Sequence, residues 1–235
     1  GRERSPISVK VYPPIVRIFH WLFAISFLAA WYFSREDSKQ TLHVATGSLF
    51  AFLVLFRIGY GFSGVSVARF RNLEISPVQL LNYMLGQLGV REKSHNAGHN
   101  PASGLVFLGM LFFGGFLAIT GLVLLGIQEK KGPFFPFADS YGFYSPWILK
   151  LHTMSFYAMS LFVALHVAGI LNDEIRFRSR ISGSMLHGWK FLQNRLPGFE
   201  YERSGHSALV FFLAGSIVSG ATGALSTFSE PYRQE

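Results

Sequence analysis

The most informative absence from this 235-residue sequence is cysteine, of which there is none. Iron–sulfur clusters, thiolate metal sites and covalent c-type haem attachment all require cysteine, so the sequence excludes each of them. The absence says nothing about the redox compartment. Any redox cofactor must be held by histidine, by methionine or by non-covalent packing.

Charged residues are also scarce, at 14% of the chain, whereas soluble domains usually carry about 25%. The deficit falls in long blocks with almost no charge, which indicates a membrane protein, and 25 phenylalanines suit a lipid-facing surface. The net charge of +8 does not point to nucleic acid, because the positive residues lie in short loops beside apolar segments.

Five segments are long enough to cross a bilayer, which takes about 20 residues at about 1.5 Å each. They run near residues 15–33, 43–62, 103–127, 147–171 and 205–225. The first is too long for the apolar core of a signal peptide and is expected to be a retained helix. The fifth is rich in Gly, Ala and Ser and is the weakest of the five. The prediction is one all-α integral membrane domain over residues 1–235, a four-helix bundle with a fifth helix at its edge.

Lysine and arginine are concentrated in three places: the N-terminal tail, the loop after the second segment and the stretch after the fourth. Cytoplasmic loops of membrane proteins are enriched in these residues. The N-terminus is therefore expected in the cytoplasm, and five crossings would put the C-terminus outside.

Histidine provides the candidate cofactor ligands. His152 and His166 are 14 residues apart in the fourth segment. At about 100° per residue this spacing falls within about 40° of four full turns, so both rings leave the same helix face, about 21 Å apart along the axis. One helix can therefore present a ligand near each membrane surface.

Two other histidines lie at matching depths: His43 at the outer level of His152, and His20 at the inner level of His166. A haem iron with two axial imidazoles needs this arrangement, so the pairs predict two haem sites in a helix bundle. A single histidine near a helix end is more often interfacial, and His95, His187 and His206 are interpreted as solvated or interfacial. Four histidines in level-matched pairs favour ligation.

Small and basic residues near these histidines have two interpretations. Gly47 follows His43 by one turn, and Gly114 and Gly115 lie within the third segment, where glycine would admit a bulky planar group or simply allow close helix packing. Three basic residues near the expected haem edges either pair with propionates or form the ordinary basic rim of a membrane helix: Arg17, Arg57 and Lys150.

Several motifs resemble a known family. The run Arg17-Ile18-Phe19-His20-Trp21 resembles the R-x-x-H-W signature of the cytochrome b subunits of nickel–iron hydrogenases, and Gly98-His99-Asn100-Pro101 resembles the G-H-N-P before their third helix. The stretch beginning at Asn172-Asp173-Glu174-Ile175 is similar to their segment after helix four. The resemblance covers roughly residues 10–193 and extends to a superfamily that includes formate dehydrogenase gamma subunits and stand-alone bacterial di-haem cytochromes.

The resemblance implies the same four ligands in the same pairs, with two haem b. It implies an electron-transfer subunit in a bacterial inner membrane, which carries electrons from a periplasmic oxidoreductase such as hydrogenase to quinone and has no catalysis of its own beyond quinone reduction. The run Leu165-His166-Val167-Ala168-Gly169 is closer to the stand-alone cytochromes. A different partner, such as a periplasmic cytochrome, therefore remains the alternative, and the oligomeric state is open.

The resemblance also indicates a quinone site on the cytoplasmic side. In formate dehydrogenase gamma subunits an asparagine matching Asn100 lies in the quinone pocket, so Asn100 is the first candidate and His99 a candidate proton donor. Asn100 also suits an N-cap of the third helix, and the two roles are compatible.

Two other classes of protein fit the intramembrane histidines. A transporter would use them for protons or metal, and a purely structural anchor would tolerate their substitution. A reduced-minus-oxidised spectrum separates them, because only the cytochrome has b-type haem bands.

Overall fold

A computed structural model describes residues 7–10, 12–63, 68–73, 78, 101–177, 181–192, 212–213, 215–217 and 219. The helices within these ranges are α1 (Pro14–Phe33), α2 (Gln40–Ser63), α3 (Pro101–Glu129), α4 (Ala138–Tyr141), α5 (Ser145–Phe177) and α6 (Ile181–His187). Short 3₁₀ turns lie at Asp37–Lys39, Phe70–Asn72, Phe135–Phe137 and Gly142–Tyr144. Two four-residue strands, β1 (Ile7–Lys10) and β2 (Trp189–Leu192), complete the set.

The fold is an all-α membrane bundle, as the sequence predicts. Four helical segments in the described part of the chain are long and apolar enough to cross a membrane: Pro14–Phe33, Asp37–Ser63, Ala102–Glu129 and Phe135–Ile175. The first four predicted segments are confirmed as spanning candidates, and the protein is a multi-pass membrane protein. The fourth of these segments extends beyond its predicted end at residue 171, because α5 continues to Phe177.

Proline starts two of the long helices. Pro14 is the first residue of α1, and the carbonyl of Pro13 accepts bonds from the amides of Val16 and Arg17 at 3.1 and 3.3 Å. Pro101 is the first residue of α3. Proline suits this position because the first helical N–H has no intrahelical partner and the ring fixes φ near the helical value.

The chain divides into two compact units, each built from several stretches of sequence. The first consists of Gly1–Arg17, Gly59–Leu111 and Ser160–Ser204. It contains an antiparallel sheet in which Ile7 pairs with Leu192 and Lys10 with Trp189. The sequence analysis did not predict this sheet.

A tight turn leads into β2. Gly188 has a φ of +85° and donates to the carbonyl of Ser184 at 2.8 Å, the left-handed ending typical of a helix C-terminus. A Cβ at this position would lie 2.9 Å from the carbonyl oxygen of Tyr12. The guanidinium of Arg17 donates through Nη1 to the carbonyl of Leu186. Glycine therefore allows the start of the chain to pack closely against the end of α6.

The second unit consists of Ile18–Ile58, Phe112–Met159 and Gly205–Glu235. Its interior is rich in phenylalanine: the Phe23 and Phe50 rings stack with centroids 4.7 Å apart, and Phe27 packs against Phe156 at 5.7 Å. The phenylalanines of this chain therefore fill the protein interior as well as the lipid-facing surface. On one side of the unit, Nε2 of Gln128 donates to Oγ of Ser145 at 2.8 Å and joins the end of α3 to the start of α5.

The predicted fifth helix falls largely outside the described residues, but its described positions are helical and belong to this second unit. Phe212 is fully buried, with its ring centroid 4.4 Å from that of Phe56. The hydroxyl of Ser219 donates to the carbonyl of Ser48 on α2 at 2.9 Å. These positions pack against α2, in line with the predicted helix contact; the membrane crossing itself remains a prediction.

Candidate functional site

Within the second unit, α2 and α5 bring His43 and His152 together. Their ring centroids lie 6.4 Å apart, with the ring planes at 88°. Two histidines that ligate one metal from opposite sides, at metal–nitrogen distances of about 2.0–2.1 Å, have centroids roughly 6 Å apart. The perpendicular planes are compatible with this geometry, because each ring can rotate about its own bond to the metal. The separation therefore fits an axial pair on a haem iron.

Each of the two rings has a hydrogen-bond partner at Nδ1. Nδ1 of His43 lies 2.8 Å from the carbonyl oxygen of Ala30, which can only accept, so Nδ1 carries the proton. Nδ1 of His152 lies 3.0 Å from the hydroxyl oxygen of Thr120. Metal-binding histidines commonly use their second nitrogen in this way, which leaves the other as the ligand. Nε2 of each ring is then the nitrogen for ligation.

Both rings line a cavity of about 490 Å³. Its walls combine apolar residues such as Phe27, Phe50 and Leu117 with polar ones that include Glu129. Gly47 also lines it, and a Cβ there would meet nothing within 4 Å. Open space in front of a glycine, apolar wall residues and two imidazoles suit a planar apolar macrocycle, so these residues fit a haem.

Gly121 on α3 makes room for the ring of His152. A Cβ at this position would lie 3.1 Å from Cε1 of His152 and 3.6 Å from its Nδ1. The bare backbone therefore lets the imidazole pack directly against α3. Gly121 and Thr120 are two site residues that sequence analysis missed. Their signal was that Thr120 is the one polar side chain between Leu105 and Ile127 and is followed directly by a glycine.

The two glycines predicted in the third segment, Gly114 and Gly115, differ in their surroundings. A Cβ at Gly114 would be in ordinary contact with Phe50, Met159 and Phe23, at 3.4–3.8 Å, which is the close helix packing considered from sequence. A Cβ at Gly115 would meet nothing within 4 Å, but Gly115 is not among the residues that line the cavity.

Basic residues do not surround this cavity. Among the described residues that line it, none is Lys or Arg, and the polar ones include Gln40 and Gln128. Lys150 instead extends over the Trp147 ring, with Nζ 5.8 Å from its centroid. This position is in line with the basic-rim interpretation of Lys150.

The other predicted basic residues lie elsewhere. Arg57 is half-buried on α2. Arg17 lies in the first unit, where its buried Nε has no hydrogen-bond partner among the described residues, while Nη1 bonds to Leu186. The Nε–H of Arg17 is therefore available to donate a hydrogen bond to a carboxylate.

The second predicted pair is divided between the two units. His20 lies on α1 in the second unit, with its ring 5.2 Å from that of Trp21. His166 lies on α5 in the first unit, and each histidine is half-buried. The single helix Ser145–Phe177 carries both His152 and His166, so the 14-residue spacing lies on one continuous helix. His99 and Asn100, the quinone candidates, lie outside the described residues.

A different metal site is not evident in the ranges that the structure covers, where no group of three or more His, Asp or Glu side chains could hold an ion. Structural zinc needs four protein ligands. A pair of histidines suits haem better, because the porphyrin supplies the remaining nitrogens.

Comparison with known proteins finds one family and two relatives that the chain resembles. The family profile described as prokaryotic cytochrome b561 matches residues 11–188. A protein of Rhizobium leguminosarum bv. viciae is 27% identical over 217 residues, covering 80% of this chain and 91% of its own. One of Bradyrhizobium diazoefficiens is 25% identical over 210 residues, covering 77% and 85%. Both are named "Probable Ni/Fe-hydrogenase B-type cytochrome subunit". No solved structure gives a significant match.

Proposed function

The chain belongs to the prokaryotic cytochrome b561 family, and from that premise we propose that it carries electrons across the membrane through two b-type haems. The donor is an oxidoreductase on the outer face, and the acceptor is quinone on the cytoplasmic face. The membrane is the inner membrane of a bacterium, with the N-terminus of the chain in the cytoplasm.

The observation that carries the proposal is the His43–His152 pair, with ring centroids 6.4 Å apart at a cavity that both rings line. Each Nδ1 is engaged by α1 or α3, so each Nε2 is available to the iron. When bound, the haem supplies a one-electron couple. The chain holds and orients the two ligands and excludes water with apolar walls.

The second haem is assigned to His20 and His166. The support is the matched depth of these residues in the sequence and the position of His166 on the same helix as His152, 14 residues further on. One helix would then supply a ligand to each haem. The unpartnered Nε of Arg17, one turn before His20, is the donor proposed for a propionate of this haem.

The outer partner is proposed from the relatives, which are named as hydrogenase cytochrome subunits. By analogy, a nickel–iron hydrogenase or a similar oxidoreductase would deliver electrons to the haem held by His43 and His152. A different donor, such as a periplasmic cytochrome, would use the same two haems. Co-purification in mild detergent distinguishes the donors, because a stable oxidoreductase subunit would remain attached.

Quinone reduction is assigned to the residues just before α3. His99 and Asn100 immediately precede Pro101, the first residue of that helix, and the positive-inside rule puts this end in the cytoplasm. An amide and an imidazole can bond to the carbonyl oxygens of a quinone, and His99 can donate a proton. Protons would then be taken from the cytoplasm, so turnover would add to the membrane potential.

The test is haem stoichiometry in histidine variants. His43→Leu and His152→Leu should each lose about half of the bound haem and the same set of spectral bands, because both remove a ligand from one iron. His20→Leu and His166→Leu should each lose the other half. His206→Leu, at a histidine interpreted as interfacial, is the matched control and should keep both haems.

Two results would contradict the proposal. Purified protein that contains no haem would favour a transporter or a structural anchor. Two intact low-spin haems in His152→Leu would show that the ligand assignment is wrong.

A further inference from the structure

Thr120 bonds to a proposed ligand from a buried position on α3. Its side chain is only 7% exposed, and its hydroxyl oxygen lies 3.0 Å from Nδ1 of His152. The same oxygen lies 2.7 Å from the carbonyl oxygen of Phe116 and 3.2 Å from that of Leu117. Three polar atoms therefore compete for one hydroxyl group.

A hydroxyl group has one proton to donate and two lone pairs that accept. The carbonyls of Phe116 and Leu117 can only accept, and the contact to Phe116 is the shortest, so the proton points to these carbonyls. The oxygen is then left as an acceptor for His152. This requires the proton of His152 to sit on Nδ1, which leaves the lone pair on Nε2.

The geometry points to Thr120 as a positioning residue that orients His152 and sets the reduction potential of the haem held by His43 and His152. This inference rests on the proposed function. Thr120 acts through the imidazole and needs no contact with the haem.

The expected direction of the effect follows from charge. An imidazole whose Nδ1–H donates a hydrogen bond is a more basic ligand, because the bond pulls the proton away and leaves electron density on the ring. A more basic ligand stabilises the oxidised, more positive iron and lowers the potential. Removal of the Thr120 oxygen should therefore move the potential of this haem to a more positive value.

The two ligands differ in how their partners can be altered. His43 donates to a backbone carbonyl, that of Ala30, which no side-chain substitution removes. His152 bonds to a side-chain hydroxyl, that of Thr120, and also interacts with the backbone of Leu117. Of these two Nδ1 partners, only the Thr120 oxygen can be removed by mutation. The potential can therefore be tuned through α3 without a change of ligand.

A purely local role for Thr120 makes a different prediction. Threonine often donates to the carbonyl four residues earlier in its own helix, and this bends the helix slightly. Such a role would affect stability and helix geometry, but it gives no reason for one haem to change potential while the other does not.

The experiment is a redox titration of the purified, haem-loaded protein, with Thr120→Val, Thr120→Ser and Thr46→Val compared with the parent. Valine keeps the shape of threonine without its oxygen, and serine keeps the oxygen. Thr46 is the matched control on α2, because its hydroxyl bonds to the carbonyls of Leu42 and His43 rather than to an imidazole.

Thr120→Val should shift the midpoint potential of one haem to a more positive value and change its low-spin electron paramagnetic resonance signal. The affected haem should be the one that His152→Leu loses. Thr120→Ser should restore the parent values, and Thr46→Val should match the parent. Unchanged potentials and spectra in a haem-loaded Thr120→Val protein would overturn the inference.

If Thr120→Val loses this haem, its potential cannot be measured, and Thr120→Ser becomes the deciding variant. Retention of the haem at the parent potential would then support the hydrogen bond, and its loss would refute it. Failure of the proposed function would look different, because His43→Leu and His152→Leu would not remove the same haem.

Discussion

Gly121→Ala would add a methyl carbon 3.1 Å from Cε1 of His152. Carbon atoms in favourable contact lie about 3.5–4.0 Å apart, so the imidazole would have to move by about 0.4 Å or more. In the haem-free chain the ring can turn aside. With the proposed haem bound it could not, because the iron would hold Nε2 while Thr120 holds Nδ1.

The cost should therefore appear as weaker haem binding. Overpacking a well-filled site costs about 1–3 kcal/mol. Since about 1.4 kcal/mol corresponds to a tenfold change in a dissociation constant, haem affinity at this site should fall by roughly 5- to 150-fold. The second haem should be unaffected.

Gly115→Ala is the matched control, because it lies on the same helix and its Cβ would meet nothing within 4 Å. Both variants gain the same helix propensity, about 0.8–1.0 kcal/mol in water, so the difference between them isolates the contact with His152. The assay is the haem-to-protein ratio, together with the rate of haem loss to an apoprotein acceptor. Equal haem retention in Gly121→Ala and Gly115→Ala would refute the reasoning.

Three further predictions concern the rest of the chain. Asn100→Leu should slow quinone reduction and weaken inhibitor binding while the donor still reduces the haems quickly; unchanged quinone turnover would place the site elsewhere. Gly215→Leu should lower the melting temperature in detergent because its side chain would meet the Phe52 ring, whereas Ile217→Ala, at a 72% exposed position, should not; equal melting temperatures would argue against the packing. Arg233→Cys should react with an impermeant thiol reagent on intact cells, and labelling only after permeabilisation would contradict an outside C-terminus.

The spanning helices were predictable because a bilayer demands long apolar runs and proline marks helix starts. The third segment was expected near residues 103–127, and α3 runs from Pro101 to Glu129. The sheet between β1 and β2 was not predictable, because each strand has four residues and no local pattern connects partners so distant in sequence.

The site was predictable only in part. The proposed ligands are recognisable from their spacing in the sequence, whereas the residues that contact and orient them are not. His43 and His152 were paired from depth alone, and the structure brings their rings together. Thr120 and Gly121 act through contacts with a neighbouring helix, and sequence does not specify which face of α3 meets His152. Sequence left two roles open for Lys150 for the same reason, since proximity to a proposed ligand in sequence does not fix the direction of a side chain.

The pairing of Ile7 with Leu192 has a consequence for biosynthesis. Roughly 180 residues separate the partners, and at translation rates of about 5–20 residues per second roughly 10–40 s pass between their syntheses. The four spanning helices among the described residues all precede β2 in the chain, so β1 leaves the ribosome before any of them and pairs only after these four have been made. Strand pairing is therefore a late step of assembly, which can occur only after these four helices have been synthesised.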